Sequence, residues 1–131
     1  MIDKHDIERA LDAINAAENA LAELGVEGVI AAIDRTMAPS VEGWMNGGHR
    51  PDREAERAVE RWLFAELPDY HRSIERSVIE PPRAAIGWRI RGTSRSLGRR
   101  LEIVGASHFE LDDEGRIARY WVYVDQSAFQ P

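Results

Sequence analysis

The stretch SHFELDDEGRIARYWVYVD, residues 107–125, decides how the whole chain is read. Its first part alternates small or polar residues with bulky ones, and its last part is rich in aromatic and β-branched residues. Both patterns belong to strands, whose successive side chains point to opposite faces. Between them, Asp112-Asp113-Glu114-Gly115 has the composition of a tight turn. Working outward, residues 70–80, 84–94, 100–111 and 116–125 read as four strands, separated by Pro81-Pro82, the SRSLGR segment and the acidic turn. Links this short favour antiparallel neighbours.

The N-terminal half has a different period. Ile7, Leu11, Ile14, Leu21 and Leu24 recur at helical spacing with Ala10 and Ala17 on the same face. Asp3 or Asp6 is placed to cap this helix, and Gly25 to stop it. A second, shorter helix carries Val29, Ile30, Ile33 and Met37 and ends before Pro39. SVEGWMNGG is a short extended piece closing in a glycine turn. Asp52 then caps a third helix, REAERAVERWLFAEL, predicted to turn Ala55, Ala58, Val59, Trp62, Leu63 and Leu67 inward before Pro68 stops it. Helices followed by strands imply an α+β domain, with the helices gathered on one face of a mainly antiparallel sheet.

Composition bounds the function. A chain of 131 residues without a linker or repeat fits a single domain over 1–131. The net charge of −6 speaks against nucleic acid as a partner. No apolar run approaches the ~20 residues needed to span a bilayer, and MIDKHDIERA lacks the basic and apolar regions of a signal peptide. The expected location is therefore the cytoplasm, with no membrane partner. The absence of cysteine excludes disulfides, thiolate metal sites and cysteine nucleophiles. No His/Asp/Glu spacing matches a metal site.

The order of elements, together with SHFELDDEGRIARYW, WMNGGHRPDREAERAVERWL and LPDYHRSIERSVIE, resembles the SnoaL-like and ketosteroid-isomerase-like branches of the NTF2-like superfamily. The resemblance covers essentially the whole chain. It implies an NTF2-like cone, three N-terminal helices packed on a curved sheet around one apolar pocket, with a homodimer formed through the sheet. It also implies cofactor-independent chemistry on a small apolar molecule.

Residue by residue, the resemblance is uneven. The limonene-epoxide-hydrolase branch holds its attacking water with a Tyr and an Asn two positions later; here Trp44 and Asn46 stand there, and indole cannot accept a hydrogen bond. That branch's Arg-x-Asp is matched by Arg89-Ile90-Arg91, and its last-strand base falls on Val122. The isomerase branch places its base near Trp44, where residues 43–49 hold no carboxylate, and its hydrogen-bonding Asp falls on Ser107, which cannot act as a base unaided. The polyketide-cyclase branch uses a last-strand Asp and a nearby His, here Asp125 and His108. If Val122 and Ser107 face the pocket, strand alternation turns Asp125 and His108 away from it, unless a bulge intervenes.

The resulting expectation is a site lined by Trp44, Asn46, Arg89, Ser107, Tyr120 and Val122, with His49 or Asp125 as proton acceptor. Trp44 is read as a pocket-rim residue and Trp62 as core. The basic run Arg83, Arg89, Arg91, Arg95, Arg99 and Arg100 reads either as a protected, solvated edge or as a patch for an anionic ligand. Two functions remain open: an isomerase or cyclase acting by proton transfer on a ketone- or polyketide-like substrate, and a non-catalytic ligand-binding or dimerising domain.

Overall fold

The computed structural model describes residues 1–129, in the α+β architecture expected from the order of elements. Three helices come first: α1 (Lys4–Glu18), α2 (Leu21–Asp34) and α3 (Arg53–Glu66). Strands β1 (Met37–Met45) and β2 (Gly48–Arg50) lie between α2 and α3. β3 (His71–Glu80), β4 (Arg83–Ser94), β5 (Arg99–Leu111) and β6 (Ile117–Val124) follow, and a 3-10 turn (Gln126–Phe129) closes the described chain. No helix among the described residues is long and apolar enough to cross a membrane.

The six strands form one open sheet in the order β2-β1-β6-β5-β4-β3. The four C-terminal strands pair antiparallel, while β1 joins β6 in parallel. Register shifts between Ile74 and Arg76, between Glu110 and Leu111 and between Met37 and Glu42 mark bulges, which bend strands and let a sheet curve. At the acidic turn, Asp112 Oδ1 accepts from the backbone of Glu114 and Arg116, and Gly115 takes a positive φ of 78°. Ala84, Ile86, Trp88 and Ile90 of β4, with Leu101, Ile103 and Phe109 of β5, form the buried inner face against Ile7, Leu11 and Ile14 of α1.

Three helical expectations are corrected. Asp3 does cap α1, in a reciprocal box with Asp6. The helix stops at Glu18, however, well before Gly25. Asn19 caps it, and its side chain accepts from Arg72 N (2.7 Å) and donates to Arg72 O (2.8 Å), binding the helix end to β3 like one rung of a ladder. Leu21 and Leu24 therefore belong to α2, where Leu24 is exposed and Gly25 (φ 72°) kinks the chain. Met37 opens β1 instead of closing α2. In α3 the buried face carries Arg53, Glu56 and Phe64, while Ala58 is exposed and Trp62 keeps 51% of its surface. Val59, Leu63 and Leu67 do turn inward, but the apolar periodicity missed Arg53 and Glu56, because it gave no weight to charges that pair with one another.

Removing the Asn19 clamp should be costly, since it leaves two backbone groups of a buried residue without partners. Asn19→Ala should lower the unfolding free energy by about 2 kcal/mol, read from the urea midpoint at an unchanged m-value. An unaltered midpoint would show that the clamp contributes nothing.

Candidate functional site

Beneath α3, the concave face of the sheet encloses a cavity of about 410 Å³. Its walls are chiefly apolar, among them Ile90 of β4, Ile103 and Phe109 of β5, Val122 of β6 and Leu63 of α3. Trp88 fits because Gly105 has no side chain: a Cβ there would stand 2.3 Å from Trp88 Cη2. The Trp88 indole donates to Ser107 Oγ (2.9 Å), leaving the buried serine hydroxyl its own proton to donate onward. Tyr120 stands over Gly43 in the same manner, with a Cβ at Gly43 falling 2.2 Å from Tyr120 Cζ.

One wall is charged. Arg53, 8% exposed, donates to Asp34 Oδ1 through Nε (2.9 Å) and Nη2 (2.7 Å), and to both oxygens of Glu60 (3.0 and 2.9 Å). Burial opposes its charge, but Glu60 and Asp34 outweigh that and hold Arg53 above its ordinary value. Burial lifts Glu60 to about 7 against the pull of Arg53, with Glu18 and Glu56 adding to the rise. Glu56, 5% exposed, is also pushed up by burial, opposed by Arg50 and Arg53. No residue among those described donates a hydrogen bond to Glu56; its Oε1 is sealed, with Arg50 Nε at 3.6 Å. Burial, then the nearby Glu56, pushes the Tyr120 hydroxyl up to about 12, so it stays a donor at neutral pH. Farther along, the buried Tyr70 hydroxyl donates to Glu18 Oε2 (2.6 Å), and Arg72 Nη1 lies 3.7 Å from Glu18 Oε1. A buried carboxylate with no donor of its own, beside an apolar space, is chemically a proton acceptor for whatever enters.

Of the sequence-predicted residues, Ser107, Tyr120 and Val122 line this cavity together. Trp44, Asn46, His49, Arg89 and Asp125 do not. Trp44 stacks on Trp121 on the opposite face of the sheet (5.0 Å, 8°), with His49 and His108 at either end of this aromatic row. His49 Nε2 lies 3.0 Å from Glu42 Oε2. Asn46 bonds both backbone groups of Val124, accepting at 2.9 Å and donating at 3.2 Å. Arg89 reaches Glu75 (2.9 Å) and Glu102 (3.0 Å), which Arg91 shares. The exposed Asp125 accepts from Ser127 N at 3.0 Å and so starts the C-terminal turn. Trp62, expected in the core, stands instead at the edge of the cavity, edge-on to Phe129 at 5.1 Å.

The charged wall escaped sequence reasoning. Arg53, Glu56 and Glu60 sit at helical spacing, and Leu63 and Leu67 continue the same row. That continuity was the available signal: a row that ends in the core begins on the core side. Glu18, Tyr70 and Arg72 carry no such local mark, because the sheet brings them together from opposite ends of the helical half. Among the described residues, no group of three or more His, Asp or Glu side chains converges as metal ligands would.

A family model described as a SnoaL-like domain matches residues 7–120. No curated protein matches the chain significantly in sequence. Solved structures do match in fold. AclR from Streptomyces galilaeus, described as a candidate hydroxylase, is 12% identical with a TM-score of 0.83, covering 96% of this chain and 79% of its own. Wild-type IdmH from Streptomyces antibioticus, described as a candidate polyketide cyclase, is 21% identical with a TM-score of 0.76, covering 93% and 94%. TsrD from Streptomyces laurentii is 20% identical with a TM-score of 0.78, covering 98% and 94%. At such identities the likeness is one of fold.

The Glu60 carboxyl gives the wall a pH signature. Its value in the folded chain lies above the ordinary 4.5, so the folded state binds the proton more tightly. Stability from this group is full below pH 4.5 and declines as pH rises to about 7. Wild type should therefore lose about 2–3 kcal/mol relative to Glu60→Gln across that window, measured by urea unfolding at successive pH values. A constant difference between the two would contradict it.

Proposed function

The chain belongs to the SnoaL-like domain family, and on that premise we propose that the cavity binds a small apolar ketone- or polyketide-like molecule and catalyses cofactor-independent proton transfer on it. The observation that carries the reading is Glu56, a buried carboxylate bordering an apolar cavity, to which no described residue donates a hydrogen bond. Its burial raises proton affinity toward the range in which a carboxylate is an effective base. In the proposed step Glu56 takes a proton from the carbon next to the substrate carbonyl. The C–H electron pair moves onto the carbonyl oxygen as an enolate, which Tyr120 or Ser107 stabilises by donating a hydrogen bond. Return of that proton to another carbon completes an isomerisation. If the enolate carbon instead attacks a second carbonyl, a C–C bond forms and Glu56 returns the proton to the new alkoxide. IdmH, described as a candidate polyketide cyclase, has the same fold, which agrees with this class of chemistry.

The same reading assigns the outer sheet face to a homodimer. Trp44, Trp121 and His108 form its aromatic row, and Val104 and Tyr123 are exposed beside them. Contiguous apolar surface of this kind marks an interaction face.

For the reaction, a panel of aryl and cyclic ketones would be incubated with the protein in deuterated water and their α-proton signals followed by NMR. Exchange above buffer is expected for at least one of them, falling about 100-fold in Glu56→Gln with its dissociation constant changed by only a few fold. Ligands that bind without exchanging would favour a binding protein over an enzyme. For the dimer, light scattering should give twice the chain mass for wild type and a single chain mass for Tyr123→Glu. A monomeric wild type at millimolar concentration would refute it.

A further inference from the structure

Glu56 sits on α3, but its nearest cation comes from elsewhere in the fold. Arg50 ends β2, the edge strand, in register with Gly43 of β1. That pair is tied to the site twice over: Tyr120 packs on Gly43, and Arg50 Nε reaches to 3.6 Å from Glu56 Oε1. The hairpin that delivers Arg50 is held firmly. Asn46 and Gly47 both take positive φ (48° and 86°) to make the two-residue turn. Asn46 N then donates to Val122 O (2.8 Å), and its side chain bonds both backbone groups of Val124. Asn46, absent from the cavity wall, thus fixes a hairpin whose other strand ends beside Glu56.

Among the described residues, Glu56 meets charged or titratable groups from α3, β2 and β6. Arg53 and Glu60 come from its own helix, Arg50 from β2 and Tyr120 from β6. Arg53 is already engaged by Asp34 and both oxygens of Glu60, and Tyr120 is neutral. Arg50, by contrast, has Glu56 as its carboxylate partner among the described residues. Oε1, the oxygen facing Arg50, is sealed from solvent, and Glu56 lines the cavity.

We propose that Arg50 is a positioning residue, which holds the Glu56 carboxylate anionic with one oxygen turned to the cavity and so links the β1–β2 hairpin to the proton-transfer site. The inference rests on Glu56 being the proton acceptor proposed above. Removing a cation within ion-pair distance of a buried carboxylate should make it hold its proton to higher pH.

The test compares wild type, Arg50→Gln and Arg50→Lys by carboxylate ¹³C NMR on glutamate-labelled protein, with the Glu56 signal assigned by its loss in Glu56→Gln. The Glu56 midpoint should rise by about one pH unit in Arg50→Gln and return most of the way in Arg50→Lys. The acid limb of the α-proton exchange profile should move with it, a roughly tenfold loss of rate below the midpoint. A merely structural Arg50 would change the urea midpoint without moving the Glu56 titration, and that result would overturn the proposal. A midpoint that shifts in a protein with no exchange activity would keep the positioning role and sink the proton-transfer reading. Exchange lost in Glu56→Gln but indifferent to Arg50 would do the reverse.

Discussion

The fork of hydrogen bonds from Arg53 to Asp34 and Glu60 is the constraint on which the candidate site depends. An α-helix that lays carboxylates against an apolar cavity must offset the loss of their hydration, and an unpaired buried charge would cost several kcal/mol. Arg53 meets two carboxylates with one planar group, both ends of the fork being occupied. With Asp34 at the end of α2, the same group ties two helices together and fixes how α3 lies over the sheet. The roll of α3 that buries Glu56 satisfies this ion pair and the burial of Phe64 and Leu67 together.

The sheet does separate work on its two faces. Alternation along β5 and β6 sends Ser107, Tyr120 and Val122 inward and His108, Trp121 and Tyr123 outward. Inside, Gly105 and Gly43 are the places where a side chain is absent so that Trp88 and Tyr120 can lie close to the sheet. Outside, three arginines of the basic run, which reads either as a solvated edge or as an anion patch, face acids: Arg89 and Arg91 share Glu102, and Arg100 faces Asp69 at 3.5 Å. Counting basic residues along the chain concealed acids that lie adjacent only across strands.

That contrast explains what was legible in advance. Strands and helices are periodic, so the α+β order and the two strands either side of the acidic turn could be read from spacing; the family resemblance pointed to Ser107 and Val122 at the pocket, and counting in twos then turned His108 and Asp125 away. The first helix was read too long because its stop is a tertiary event: Asn19 ends it by binding Arg72, a partner far along the chain. The proton-acceptor candidates went to His49 and Asp125 because residue chemistry and family precedent were weighed without burial. His49 found Glu42 and Trp44 on the outer face, and Asp125 found the amide of Ser127. Glu56 has no distinguishing motif. Its one sequence signal is its place in the helical row that runs on through Leu63 and Leu67, and the packing of α3 puts it inside.

Charge pairing within the cavity also bears on what it can hold. Arg53 is matched by Asp34 and Glu60, and Glu18 receives the Tyr70 hydroxyl and lies near Arg72. A ligand bringing a net charge would meet cations that already face carboxylates, with Arg72 Nη2 the cavity nitrogen left without a hydrogen-bond partner among the described residues. A neutral ligand asks less. Its apolar body displaces water from the Ile, Val and Phe walls, and one carbonyl oxygen can meet the Tyr120 or Ser107 hydroxyl. On the proposed reading, charge then appears only during proton transfer, when Glu56 becomes neutral as the enolate forms. The total charge of the cavity stays constant through the step, and a fixed set of paired residues can serve both ends of it without rearrangement.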